Sequence, residues 1–367
     1  MLRKLVAWMR FDGMKPGGRA NPLMPRPQDP ATPLAEAPFS PNPGNLRMFS
    51  YLPDGLKAGA PLVVVLHGCG QTASSYDSGA GWHQLAAELG FAVLTPEQKA
   101  VNNPNTCFDW FNPEDIRRGE GECASIAAMI RSLVETHGLD AKRVFITGLS
   151  AGGAMTAVML ATYPELFAGG AIIAGLPFGV AANVRDALEA MRSAPLRTPQ
   201  AWGDLVRAAS DFHGPWPKIS IWHGALDTTV NINNAQASLA QWADVLGFPL
   251  TGAKQGLIDG AIRLSWGKQL EVWTIPALGH GTPIDSRDVG GPAPFILDVG
   301  ISSSRHIARF WGLEPSAASK PKPAPVRIVT EEGALTQIEA IRAPQAVQPA
   351  AEALIRRALK AVGLLKG

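Results

Sequence analysis

Ser150 is the residue around which chemistry is most readily built. It stands in Gly148-Leu149-Ser150-Ala151-Gly152, after the apolar, β-branched run Val144-Phe145-Ile146 and before Ala154, Met155, Val158, Met159 and Leu160 at helical spacing. That pattern predicts a strand, a sharp turn and a helix, with the serine at the apex and glycines removing the Cβ atoms that would clash. A Gly/Ser-rich helix start with no chemistry is the plain alternative, and the flanking strand and helix argue against it. A serine is a weak nucleophile at neutral pH and needs a base to take its proton and an acid to orient that base. Asp227 follows the apolar run 219–222, and His280 sits between glycines after the run 272–275. Nucleophile, acid and base thus come in one order, each just past a predicted strand.

The other histidines fit the part less well. His306 falls inside a predicted helix and reads as surface or packing, and His213 lies in a loop ahead of the acid. His223 precedes Asp227 and is expected to brace that loop by hydrogen bonding; His67 is expected to hold its own loop the same way. For Asp227 the competing role is an Asx-turn before Thr228-Thr229. An oxyanion formed at the substrate carbonyl needs two N–H donors. The N–H of Ala151 at the helix start supplies one. The loop His67-Gly68-Cys69-Gly70-Gln71 after an early buried run is placed for the other, with Cys69 N–H pointing inward.

These groups must be held by a scaffold, and the chain provides one. The runs 46–51, 61–66, 91–95, 143–146, 171–174, 218–223, 261–266 and 270–275 read as strands. Helical patterns fall at 82–89, 122–137, 151–163, 234–246 and 303–311. Strands alternating with helices imply an α/β fold with a doubly wound, mostly parallel sheet. Residues 182–210 read as a helical insertion near the site. Residues 1–45, crowded with Pro and Gly, read as an extended or disordered lead-in to a catalytic domain over 46–313. A Pro/Ala-rich linker (314–349) and an amphipathic C-terminal helix (350–367) follow. The basic and apolar residues of 350–366 make that helix a candidate contact for a polymer granule or membrane surface, with packing on its own domain as the simpler account.

Composition narrows the classes further. With 367 residues, 46% hydrophobic and 17% charged, the chain can bury a sizeable core. A net charge of +2 with no basic stripe does not point to nucleic acid. Three cysteines without metal-ligand spacing make a zinc site unexpected, and no organic cofactor is implied. The uncharged stretch 166–183 contains Gly169, Gly170, Gly175, Gly179 and Pro177, so a buried strand running into a loop accounts for it better than a membrane span. The basic N-terminus carries an apolar run that ends at Arg10, too short for a convincing signal peptide.

Taken together, HGCGQ at 67–71, C-x-D-W at 107–110, GLSAGGAM at 148–155, HGALDTTV at 223–230 and GHG at 279–281 resemble the poly(3-hydroxybutyrate) depolymerase family of esterases. That family is itself similar to feruloyl and acetyl-xylan esterases. The resemblance covers about 46–312 and implies an α/β-hydrolase fold, with Ser150, Asp227 and His280 as the triad and Cys69 and Ala151 as oxyanion donors. It also implies a disulfide between Cys69 and Cys107, which leaves Cys123 unpaired, and an oxidising, extracellular or periplasmic setting. Phe108, Trp110 and Phe111 are candidates for an apolar substrate wall, with core packing as their alternative. The expected activity is ester hydrolysis through an acyl-enzyme, on poly- or oligo(3-hydroxybutyrate). Feruloyl or acetyl-xylan substrates, a peptidase or lipase pocket, and a surface binder with weak catalysis are the alternatives.

Overall fold

A computed structural model of the protein describes residues 33–314. The chain enters through β1 (Ala35–Ala37) and β2 (Arg47–Tyr51), then alternates β3 (Leu62–Leu66), α1 (Ala73–Ala80), α2 (Trp82–Leu89), β4 (Ala92–Glu97) and α3 (Gly121–His137). The central units are β5 (Val144–Leu149), α4 (Ala151–Thr162) and β6 (Gly169–Ile173), followed by the insertion helices α5 (Val184–Arg192) and α6 (Pro199–Arg207). After β7 (Lys218–Gly224) and α7 (Asn233–Leu246) come β8 (Lys254–Ile258), β9 (Ala261–Trp266) and β10 (Leu270–Ile275). A small pair, β11 (Thr282–Ile284) and β12 (Ile296–Asp298), precedes the closing helix α8 (Ser303–Trp311).

The main sheet has 10 strands in the order β1-β2-β4-β3-β5-β6-β7-β10-β9-β8. From β4 to β10 every neighbour is parallel, and antiparallel pairs finish both edges. Period-two alternation sends Leu62, Val64 and Leu66 of β3 into one core, with α3, α4, α6 and α7. Val63 and Val65 enter the other, with α1, α2 and α8. This two-faced burial is why β3 is a continuous apolar run. The uncharged stretch near 170 is β6, buried along its whole length. Among the described residues no helix is long and apolar enough to cross a membrane.

Several elements differ from the sequence reading, the short pair β11 and β12 among them. The lead-in expected over 1–45 is ordered in its described part. There β1 pairs with β2, Arg47 reaches Glu36 (2.7 Å), and Gly44 N–H donates to the buried Ser125 Oγ (2.8 Å). Helix α1 was unforeseen because Ala-Ser-Ser-Tyr-Asp-Ser-Gly-Ala lacks helical propensity; a Thr72/Ser75 capping box starts it and the burial of Tyr76 and Asp77 holds it. Strand β8 is an exposed edge containing Gly256, so it carries no apolar pattern. The linker at 314–349, apart from Glu314, and the helix at 350–367 lie outside the described residues.

Candidate active site

Because β5, β7 and β10 run parallel, with only β6 between β5 and β7, the residues following them emerge at one edge of the sheet. Ser150 follows β5, Asp227 follows β7 and His280 follows β10. The serine turn is as tight as its sequence suggests. Ser150 has φ 56°, a left-handed region costly for any residue with a Cβ. Its N–H donates to Ile173 O (2.9 Å) and its carbonyl accepts from Ala154 N (2.8 Å), so both sides of the turn are pinned. A Cβ on Gly148 would lie 2.4 Å from Gly152 O, and one on Gly152 would lie 2.3 Å from Leu66 O. Glycine is required at both positions by close backbone approach.

The three side chains are in hydrogen-bonding sequence. Ser150 Oγ–H donates to His280 Nε2 (2.9 Å), and His280 Nδ1–H donates to Asp227 Oδ2 (2.7 Å). This tautomer follows from the acceptor-only carboxylate. Asp227 is also the Asx-turn residue, since its Oδ1 accepts from Thr229 N and Val230 N, both at 2.9 Å. The turn fixes one carboxylate oxygen and thereby aims the other. Burial opposes ionisation of Asp227, but the hydrogen bond and charge of His280, the nearby His223 and the Val230 N–H together hold its carboxyl below the usual range. His223 Nε2 lies 2.8 Å from Val230 O, bracing this loop, and burial pushes its imidazole down, toward the neutral form.

The loop 67–71 faces the same turn. His67 Nδ1–H donates to Gly68 O (2.8 Å), and its Nε2 accepts from Gln98 N (3.1 Å). Gly68 N–H donates to Gln71 Oε1 (2.7 Å) and Gly70 N–H to Asn105 O (2.7 Å). Among the described residues, Cys69 N–H and Ala151 N–H have no acceptor, which suits donors awaiting an oxyanion. Cys69 is bridged to Cys107 across 38 residues, and Cys123 is free and buried. Closing a loop of that length removes about 4 kcal/mol of chain entropy from the unfolded state. Gln71 was in the motif but had no assigned part; it is buried, and its Nε2 donates to Pro294 O (2.5 Å), 223 residues away.

The aromatic trio divides. Phe108 is fully buried with its ring 4.9 Å from His67, so it is core beneath the loop rather than substrate wall. Trp110 is buried in the same core, where it meets the half-buried Phe111 edge to face at 5.3 Å.

With this geometry established, the comparison with known proteins is decisive. Residues 46–259 match the family model described as "Esterase PHB depolymerase". The chain belongs to that esterase family. It is 44% identical over 285 residues to "Poly(3-hydroxyalkanoate) depolymerase C" of Paucimonas lemoignei, covering 75% of this chain and 69% of the relative. An "Acetylxylan esterase" of Coprinopsis cinerea is 34% identical over 278 residues, covering 72% and 73% respectively. Among solved structures, "Acetyl xylan esterase from Aspergillus awamori" superposes with a TM-score of 0.66 at 26% identity, over 77% of this chain and 99% of the other. The protein is a carboxylic ester hydrolase of α/β-hydrolase fold.

One part of this PHB-depolymerase-family esterase lay beyond sequence reasoning. Asp109, Asp115 and Glu122 bring carboxylate oxygens within 4.8 Å of one another behind the disulfide loop. They support that loop. Gln98 Nε2 donates to Cys107 O (3.1 Å) and to Glu122, and Asp109 N–H donates to Glu122 Oε2 (2.9 Å). Burial, then the charges of Asp109 and Asp115, raise the Glu122 carboxyl well above the ordinary range. Burial, with a contribution from Asp115, pushes Asp109 up to about 6 against the Asn103 hydrogen bond. Asp109 therefore binds its proton more tightly folded than unfolded. Its contribution is full below about pH 4, declines as pH rises toward 6, and is gone above, a span of about 3 kcal/mol. Asp109→Asn is expected to flatten the fall of Tm between pH 4 and 7; parallel Tm profiles for variant and parent would count against this account.

Proposed function

We propose that this esterase cleaves 3-hydroxyalkanoate esters, as oligomers or polymer, through an acyl-enzyme on Ser150. The observation carrying the chemistry is the unbroken hydrogen-bonded chain from Ser150 Oγ through His280 to Asp227. His280 Nε2 takes the serine proton as Oγ attacks the ester carbonyl, and Asp227 stabilises the imidazolium. The N–H groups of Cys69 and Ala151 receive the oxyanion. His280 then protonates the leaving alcohol, and water repeats the cycle on the acyl-enzyme. Phe111, half-buried over the Trp110 edge, supplies apolar wall for the substrate.

The substrate class is supported by the 44% identity to a protein named as a poly(3-hydroxyalkanoate) depolymerase. The disulfide supports an oxidising, extracellular or periplasmic setting. Contact with a granule or membrane surface through 350–366 belongs to the same proposal on sequence pattern alone. The test is a panel of 3-hydroxybutyrate oligomers, p-nitrophenyl esters, acetylated xylan and feruloyl sugars. Hydroxybutyrate oligomers are expected to give the highest kcat/KM. A higher value on acetylated xylan or feruloyl sugars transfers the assignment to the carbohydrate esterases.

A further inference from the structure

Phe295 is a large aromatic side chain left 47% exposed beside the candidate site, and no other Phe, Tyr or Trp among the described residues is as exposed. Its ring centre lies 6.0 Å from that of His280, edge to face at 74°. Its backbone has φ 59°, a region in which a bulky residue is strained. Strain of this kind persists only where the surroundings impose it. Here they do, from both sides. Phe295 O accepts from Thr282 N (2.9 Å), two residues past His280, within the β11–β12 pairing. Pro294 O accepts from Gln71, whose other end holds the Gly68 N–H of the oxyanion loop. A Cβ on Gly281 would lie 2.6 Å from Phe295 O, so the histidine loop and this segment meet backbone to backbone. An exposed ring is thus held against the imidazole by the same contacts that set the oxyanion loop and the histidine.

The chemistry says what that ring meets. His280 Nε2 must hand its proton to the departing alkoxide, so that oxygen lies within hydrogen-bond reach of Nε2. The carbon chain it carries then extends past the groups packed beside the imidazole, whereas the acyl chain stays with the carbonyl. We propose that Phe295 walls the leaving-alcohol subsite and favours branched, apolar alcohols such as the secondary alkoxide of a 3-hydroxyalkanoate unit. Leu226, 63% exposed next to Asp227 and tied through its N–H to Leu278 O (3.0 Å), adds apolar surface at the loops carrying acid and base. The inference rests on the serine-esterase reading given above and adds to it a selectivity that reading does not contain.

The test is a ratio. Parent, Phe295→Ala and Phe295→Leu are compared on sec-butyl and ethyl butyrate, which share an acyl group, and on ethyl acetate and ethyl butyrate, which share an alcohol. The sec-butyl/ethyl ratio of kcat/KM is expected to fall about tenfold in Phe295→Ala and about threefold in Phe295→Leu, a size usual for apolar subsite contacts. The acetate/butyrate ratio should stay within about twofold. An unchanged alcohol ratio in Phe295→Leu, or an acyl ratio that moves as far as the alcohol ratio, overturns the subsite. Those outcomes leave the serine reading standing, which fails separately if Ser150→Ala remains fully active.

Discussion

Ser150→Ala is expected to lower kcat for ester hydrolysis by about ten-thousand-fold or more, with Tm nearly unchanged. The reason is specific to the geometry. Removing Oγ takes away the proposed attacking atom and the donor to His280 Nε2, while the turn that presents it stays pinned through Ile173 O and Ala154 N. Alanine keeps a Cβ at φ 56°, so the strain of the turn is neither relieved nor increased. Activity and stability should therefore separate cleanly. The residual rate, from the oxyanion donors and binding alone, should remain above that of water. A fluorophosphonate probe should label the parent and not the variant. Retention of most of the activity or of labelling by folded Ser150→Ala would remove Ser150 from the mechanism altogether.

Gly152→Ala is the second large effect, and here stability and activity should fall together. The added methyl would lie 2.3 Å from Leu66 O and 2.5 Å from His67 O, both main-chain atoms at the end of β3 where the oxyanion loop begins. Side chains cannot turn aside to make room, so backbone must move. Overpacking of this kind costs about 1–3 kcal/mol. The atoms that must yield are two and three residues from Cys69, so its N–H, the proposed donor, shifts from its place beside Ala151. Loss of one oxyanion donor costs roughly a hundredfold in kcat. Gly256→Ala is the control: it sits in the edge strand β8 with nothing within 4 Å, and a change in Tm of about a degree or less is expected. If Gly152→Ala loses stability but keeps kcat, the close approach of α4 to the β3 end does not govern the oxyanion hole.

Much of the site could be read from the chain because chemistry and topology constrain the same positions. The turn at Ser150 needs glycine where Gly148 and Gly152 stand, and a buried parallel strand needs an unbroken apolar run before it. An acid and a base placed after later parallel strands must come out at the edge where Ser150 does, whatever the loops between them. The two readings of Asp227, Asx-turn and acid, are geometrically compatible, since a carboxylate has two oxygens and the turn engages one.

What stayed hidden depends on distant neighbours. Phe108 reads as wall or core with equal ease until it is seen fully buried with the tilted His67 ring 4.9 Å away. Glu122 reads as an ordinary acidic residue in the first turn of a helix. Only the folded chain buries it against two further carboxylates under the disulfide loop.

Sequence by itself determined the strand–helix alternation and the order in which Ser150, Asp227 and His280 follow their strands, because period, turn chemistry and strand polarity act over a few residues. Tertiary structure alone decided that α1 forms, that Gln71 ties the oxyanion loop to Pro294, and that Phe295 stands strained and exposed beside His280. Those features rest on contacts between segments up to 223 residues apart, and no local pattern encodes which distant carbonyl or ring a side chain will meet.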